Sequence, residues 1–495
     1  MRDEESVLEN QMASVHGAVV DPSQIPVADR AKFHQITAVK QSSPIFKLTV
    51  DCCDEIFEYL SLKDLHSFGH TCRAMQKVAG EYFKQNYSTV ENITEEYAIY
   101  TICDEKGNRK KLEERIETSG FNQFIASISN YYIFSTYLLH YIHANIDEFP
   151  LINHITLVGF NFSDDRVESI QNLLSKVECV EIRDCHVNGD FYELFLKYCV
   201  NVKQLYVQEC DVGFYDSEDE DAFEENRWLV HQYPKLEHFE LRPGDIVEER
   251  PEIFRFFQLN PNIRTFSTTA DCVWANRNEL LRSNAKLDIF EVKIFTPAMY
   301  FNLDFSTEQL VQSIRNLFYQ LYERGFYKRL FLYLPKVDQP ICDLLESMQH
   351  LDKLCIREYG QICGLPALTN LKELAILEGA KATDMDILAN SYTNLQRIYI
   401  ENASIDDVMP FICRSPKLNK VKVIPKDGDH FNEGILPLVK LNREREKLDG
   451  ARKVTIYVPD NIFLKTKWAT RNGDINLRLI EMKRAHSYEW NHHFS

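Results

Sequence analysis

The chain is built on a repeat, and the repeat limits its possible folds more than any other feature. An apolar residue, two variable residues, a second apolar, one variable and a third apolar recur as Ile152/Ile155/Leu157, Val177/Val180/Ile182, Val202/Leu205/Val207, Leu236/Phe239/Leu241 and Leu287/Phe290/Val292. The series continues as Tyr327/Leu330/Leu332, Leu351/Leu354/Ile356, Leu371/Leu374/Ile376, Leu395/Ile398/Ile400, Leu418/Val421/Val423 and, more weakly, Ala451/Val454/Ile456. Ile263/Phe266 fits two of the three positions, because Thr268 takes the last. Most starts fall roughly 20–27 residues apart, the spacing of leucine-rich repeats, with longer steps before Leu236, Tyr327 and Ala451 marking insertions. A single repeat leaves its apolar face open and stacking closes it, so 495 residues can grow along an axis rather than around one core. The expected class is α/β, a curved parallel sheet inside and helices outside, over residues 151–470. Segments such as Asp165 to Ser175, Thr307 to Arg324 and Asp384 to Ser391 supply one-sided apolar helices for the outer layer. Cys185 and Cys210 fall at the template's Asn-or-Cys position, where a small polar group satisfies backbone amides in the turn.

Composition excludes several functions. A formal net charge of -18 argues against a chain held on nucleic acid or anionic lipid by its overall field. Thirteen cysteines without a Cys-x-x-Cys pair, behind an acidic N-terminus with no apolar core, predict reduced thiols and an intracellular protein, cytoplasmic or nuclear. Phe121 to Ile146 is uncharged and long enough to span a bilayer, but polar residues interrupt it, and it reads as buried strand and helix. No phosphate-binding glycine loop, zinc-protease His pair or nucleophile elbow is present, and no paired-cysteine zinc spacing, so neither an enzyme nor a cofactor is expected. Residues 1–43 read as a flexible leader, 89–150 as a connecting region and cap or first irregular repeats, and 471–495 as a C-terminal segment or cap. Asp211 to Glu225 carries eight acids in fifteen residues, either a solvated loop or a docking tail for a basic partner.

Residues 44–88 differ from the rest. Ile56, Phe57 and Leu60, then Leu62, Leu65 and Phe68, then Cys72, Met75, Val78, Ala79, Tyr82 and Phe83 fall at helical spacing. Ser61 with Asp64 starts the middle helix and Gly69 is placed to end it. This small three-helix module resembles the F-box, read in LTVDCCDEIFEYLSLKDLHSFGHTCRAMQKVAGEYF from Leu48 to Phe83. It departs at Thr49, where the family usually has Pro, and at Met75, where Trp is common. The resemblance implies docking to a Skp-type adaptor and contact with a cullin scaffold through the positions of Leu48, Ile56, Leu60 and Leu65. An F-box followed by leucine-rich repeats resembles the substrate-receptor subunits of SCF ubiquitin ligases, which lead a bound client protein to ubiquitination. The alternative is a leucine-rich-repeat scaffold without that role.

Side chains alternate along a strand, so the variable template positions list the second face. From Leu287 onward this face offers Lys293, Arg329, Lys353, Arg357, Arg397, Lys420, Lys422 and Lys453 against Glu291, Glu373 and Glu401, with Phe331, Tyr333, Tyr399 and Tyr457 between them. Arg329, Phe331, Tyr333, Lys353, Arg357, Arg397, Tyr399, Lys420 and Lys422 form the candidate client-binding set, suited to an acidic or phosphorylated segment. An ordinary solvated strand face is the competing reading.

Overall fold

The computed structural model describes residues 48, 50–87, 89–93, 98–103, 109–114, 121–131, 137–160, 170–185, 191–210, 227–243, 250–294, 307–337, 339–348, 350–359, 365–366, 368–378, 382–424, 435–470 and 477–485. The leader 1–43, the acidic insertion Asp211 to Glu225 and most of the C-terminal tail lie outside them. The chain divides into two compact units, the boundary falling between Tyr82 and Phe83.

In the first unit, helices α1 (Val50–Phe57) and α2 (Leu62–Gly69) are followed by α3 (Arg73–Tyr87), whose residues from Phe83 onward are counted with the second unit. Ser61 caps α2 as its sequence predicts. Its hydroxyl accepts from the Asp64 amide at 3.1 Å and donates to the Asp64 carboxylate at 2.7 Å. Phe57 is the centre of the packing, edge-on to both Phe68 and Tyr82 at 5.3 Å. Leu62, Leu65, Met75 and Ala79 are buried with it.

Among the described residues, the second unit carries one sheet of seventeen strands. Fourteen of them, β4 (Ser127–Tyr131) to β17 (Ile480–Arg484), run in chain order, each parallel to the one before. At the β4 end, β1 (Thr89–Ile93) adds one more parallel strand, and β2 (Ala98–Cys103) and β3 (Arg109–Glu114) extend it as an antiparallel meander. Each of the twelve template matches coincides with a strand, β5 (His154–Val158) through β16 (Val454–Val458). Beyond them the template lacks β4 and β17, which continue the parallel sheet on either side. Phe121 to Ile146 contains β4 and helix α4 (Tyr137–Ala144), with Ile128, Leu139 and Ile142 buried, and no described helix is long and apolar enough to cross a membrane.

The core face shows why the repeat stacks. Ile155, Val180, Leu205, Phe239, Phe266, Phe290 and Leu330 are aligned by register across β5, β6 (Cys179–Arg183), β7 (Gln204–Cys210), β8 (His238–Pro243), β9 (Thr265–Thr269), β10 (Leu287–Lys293) and β11 (Tyr327–Lys336), and all lie at or near zero exposure. Three of them form a ring ladder: Phe239 on Phe266 at 5.6 Å and Phe266 on Phe290 at 5.8 Å, within 13° of parallel. Helices close over this face. Helix α7 (Glu252–Leu259) lays Phe256 on Phe239 at 4.4 Å and Phe257 on Phe266 at 5.2 Å. Thr268, the misfit of the template, is equally buried, and its hydroxyl donates to the Leu241 carbonyl at 2.7 Å.

The register slips twice. Between β11 (Tyr327–Lys336) and β12 (Leu351–Glu358), Leu332 rather than Leu330 stands opposite Leu354, with an irregularity at Leu330/Phe331. Between β15 (Lys420–Ile424) and β16, Val421 stands opposite Ile456 rather than Val454. Both slips are two residues, the step that keeps apolar side chains facing the core.

A second repeat element lies where strands turn out of the sheet. Gly159, Asp184, Glu209 and Asn402 have φ of 66°, 48°, 53° and 55°, and the residues after them, Phe160, Cys185, Cys210 and Ala403, turn inward and are buried. A left-handed conformation strains a residue that carries a Cβ. Asp184→Gly is therefore expected to raise stability by about 0.5–1 kcal/mol, and Gly159→Ala to lower it by about 1 kcal/mol, read as shifts in urea midpoint.

Candidate functional site on the strand faces

Register gathers most of the predicted client-binding residues. One row runs Glu291, Phe331, Lys353, Glu373, Arg397, Lys420 across adjacent strands, and the next runs Lys293, Tyr333, Cys355, Ala375, Tyr399, Lys422, Tyr457. Arg329 and Arg357 flank these rows at either end and are exposed. The proximity follows from the alternation, but the accessibility does not.

Phe331, Tyr333, Lys353, Tyr399 and Lys422 are buried, Tyr399 completely. Tyr333, Cys355, Ala375, Tyr399, Ile424, Tyr457 and Ala485 form a packed apolar cluster on this face, with Leu377 against it. The expectation of a solvent-facing, freely positive surface is corrected accordingly. The physical reason is that small Cys355 and Ala375 lie between large tyrosines, which pack into a second layer of core. The lysines follow the rings, with the Lys422 ammonium 4.7 Å from the Tyr399 ring centre and Lys353 5.3 Å from Phe331. Nor is the charge unopposed: Arg397 lies 3.6 Å from Glu373 and Lys453 3.0 Å from Glu481. Arg397 and Lys420 stay half-buried.

The charges along the rest of this face are interleaved. Glu181 accepts from Thr156 at 3.0 Å and from Arg183 Nε at 2.6 Å, and Glu240 from Gln208 at 2.9 Å and from Arg242 at 2.8 Å. Glu291 and Lys293 continue the pattern two strands on, on β10 (Leu287–Lys293). Burial pushes the Glu291 carboxyl up to about 7, with Glu240 and Glu373 adding to the rise and Lys353 and Lys293 opposing it. Burial pushes the Lys293 ammonium down to about 7, helped by Arg242 and Arg183. Sequence order shows these charges but not the desolvation that moves them.

In the first unit, the positions assigned to adaptor docking separate. Leu48 and Ile56 are 39% and 43% exposed and Leu60 is half-buried, whereas Leu65 is 1% exposed and belongs to the helical core. Tyr59, not in the predicted set, is 81% exposed one turn from Ile56.

Cys185 accepts the Phe160 amide at 3.3 Å and its thiol points to the Arg183 carbonyl at 3.1 Å. Cys210 repeats the carbonyl contact, to Gln208 at 3.3 Å and Ile182 at 3.6 Å. Both are structural, as their template position implies.

The feature that the strand-face reading missed lies at the edge where the strands begin. From the repeat start Val177 to that at Tyr327, the residues one step after the start alternate in sign: Glu178, Lys203, Glu237, Arg264, Asp288, Lys328. Their backbones form a continuous ladder, in which the amides of Lys203, Glu237, Arg264 and Asp288 each donate to the carbonyl of the preceding member at 2.7–2.8 Å. Their side chains pair as Lys203–Glu178 at 2.8 Å, Lys328–Asp288 at 2.6 Å and Arg264–Asp288 at 3.9 Å. The Lys328 ammonium holds the Asp288 carboxyl below its ordinary range. Reading that one template offset down the repeats exposes the pattern in the sequence itself.

No protein-family model and no curated protein matches the chain. Among solved structures, the crystal structure of human 5T4 (Wnt-activated inhibitory factor 1, trophoblast glycoprotein) is similar at 13% identity and a TM-score of 0.25, over 51% of this chain and 78% of that one. The repeat architecture follows from this chain's own period and register: it is a parallel-sheet solenoid.

Proposed function

We propose that this chain is the substrate-recognition subunit of an SCF-type ubiquitin ligase, with the helical unit as the adaptor-docking F-box and the solenoid as the holder of a client protein. The observation that carries the reading is the division of apolar residues in the helical unit. Phe57, Leu62, Leu65 and Met75 are spent on its core, while Leu48, Ile56 and Tyr59 stay exposed and Leu60 is half-buried. A small unit with exposed apolar residues beside its core has the character of an interface centre. Met75, which replaces the more usual Trp, is 5% exposed and fills the core, so this departure leaves the outer apolar residues in place. The role is proximity: holding client and adaptor on one chain raises their effective concentration without chemistry on the chain itself.

The test is co-purification of the full chain with a Skp-type adaptor and cullin. Wild type is expected to capture both, and an Ile56→Asp/Tyr59→Asp variant to lose at least about tenfold in capture, because both side chains sit outside the helical core. A folded wild type that captures neither partner supports the scaffold reading instead.

A further inference from the structure

We propose that the strand-entry edge of β6–β11 is a docking site for an extended acidic protein segment, with Lys176, Lys235 and Lys286 as its anchors. The proposal rests on the reading of the solenoid as a partner-binding body and moves the binding chemistry from the buried strand face to this edge.

The edge has two parallel rows. The inner row, Glu178 to Lys328, alternates in sign and neutralises itself through the pairs described above. The outer row, one residue before the repeat starts of β6 to β10, reads Lys176, Asn201, Lys235, Asn262, Lys286, with a lysine on every second strand and an asparagine between. The asparagines are committed to structure: Asn201 donates to the Ser175 carbonyl at 2.6 Å and Asn262 to the Pro234 carbonyl at 2.9 Å. All three lysines are exposed, and among the described residues none is paired with a carboxylate; Lys235 donates instead to the Asn201 side chain. Among the described residues the outer row thus carries three positive charges without a paired carboxylate, on a chain whose formal net charge is -18.

A cleft of ≈ 570 Å³ opens along the β7–β11 part of this edge, lined by Lys203, Lys235, Arg264, Lys286 and Lys328 against Glu237 and Asp288, with Lys176, at the entry to β6, beyond its lining. Neighbouring strands lie about 4.8 Å apart, so lysines on every second strand repeat at about 9.6 Å. A polyproline-type segment rises about 3.1 Å per residue with three residues per turn, which places every third side chain on one face at about 9.3 Å. An acidic segment with a carboxylate or phosphate at every third residue matches the lysine spacing. Among the described residues lining the cleft none is aromatic, so none offers a surface for base stacking, and the two carboxylates between the cations disfavour a uniformly charged nucleic-acid backbone.

The test uses the full chain and labelled nine-residue peptides at low salt, read by fluorescence anisotropy. One peptide repeats Asp-Ala-Pro three times; its isomer has the same composition with the three acids adjacent. The spaced peptide is expected to bind at least about tenfold more tightly than its isomer, with affinity falling as salt rises. Lys176→Glu/Lys235→Glu/Lys286→Glu is expected to lose that binding by at least about tenfold, and the corresponding Gln triple variant, which keeps the surface polar, to lose part of it. Undiminished binding by the Glu variant, or no binding by wild type, would overturn the site. Equal binding of the two isomers would overturn the spacing. Tighter binding of oligo-thymidylate, lost in the same variant, would reassign the edge to nucleic acid. Adaptor capture is read on the helical unit, so failure here and failure of the ligase reading are separate results.

Discussion

Replacing Arg445 by Met is expected to cost about 3–5 kcal/mol of stability, the largest effect of any single substitution proposed for this chain. Arg445 lies on the helix Leu438–Glu446 and is fully buried. Its guanidinium donates to five backbone carbonyls, those of Arg452 at 2.7 Å, Ile412 at 2.8 Å, Ser415 at 3.2 Å, Pro416 at 3.0 Å and Leu418 at 2.7 Å. These carbonyls belong to the last turn of the helix Ile405–Arg414, the turn entering β15 and the loop entering β16, so one side chain ties two successive repeats together. Burial lowers the guanidinium to about 10, which still leaves it protonated at neutral pH. Methionine fills much of the volume but leaves those carbonyl bonds unmade in a buried site, each costing about 1 kcal/mol or more. Lysine keeps the charge but has three donors where five bonds are made, so Arg445→Lys is expected to recover only part of the loss. Repeats contact mainly their neighbours, so the weakening should be local. Hydrogen exchange is expected to accelerate across 412–424 and 452–458 and to stay near wild type in β5–β7. Exposed Lys440→Met on the same helix serves as the control, within about 0.5 kcal/mol of wild type.

Arg445 also marks what the sequence does and does not make legible. The period located twelve strands correctly because apolar side chains at fixed offsets have one way to be buried in a stacked sheet. It did not anticipate the two-residue slips at Leu332/Leu354 and Val421/Ile456, because such a slip leaves every residue on its own face and so leaves the pattern intact. The same limit explains the strand face. Alternation assigns Tyr399 and Lys422 to the side away from Ile398 and Val421, and they are there, but alternation is silent on whether that side meets water. The small residues Cys355 and Ala375, set between Tyr333 and Tyr399, were the available signal that the rings pack against something. Arg445 reads as one more charge in Arg443-Glu444-Arg445-Glu446, and its five acceptors come from residues 7 to 33 positions away. For the edge rows the signal was present in full, but at template offsets that face neither the core nor the strand surface.

The second large effect is a pH dependence centred on Glu291 and Lys293. Glu291 has a folded-state value of about 7 against an ordinary 4.5, so the stability it contributes as a neutral acid is fully present below about pH 4.5 and is lost as pH rises through about 7. Lys293 is displaced the other way, to about 7 from 10.5, so the cost of burying its charge is complete below about pH 7 and declines as pH rises towards 10.5. Together the two groups predict a stability minimum near pH 7, with a falling limb on the acid side set by Glu291 and a rising limb on the alkaline side set by Lys293. Glu291→Gln removes the acid limb. It is expected to match wild type at pH 4.5 and to exceed it by about 2 kcal/mol at pH 8, a figure reduced for the solvent the carboxylate still reaches. Lys293→Met removes the alkaline limb, gaining most at pH 6 and little at pH 10. Thermal midpoints of the three proteins from pH 4.5 to 10 separate these outcomes. A Glu291→Gln gain that is equal at pH 4.5 and pH 8 would mean the carboxyl titrates normally. In that case the face around β10 would be wetter than its packing implies, and the apolar layer at Tyr333 and Tyr399 would end before it reaches β10. The neighbours argue for the displaced value: Glu240 and Glu373 repel a charge on Glu291, while Lys353 and Lys293, the cations that could hold it, are themselves buried at 6% and 3% exposure.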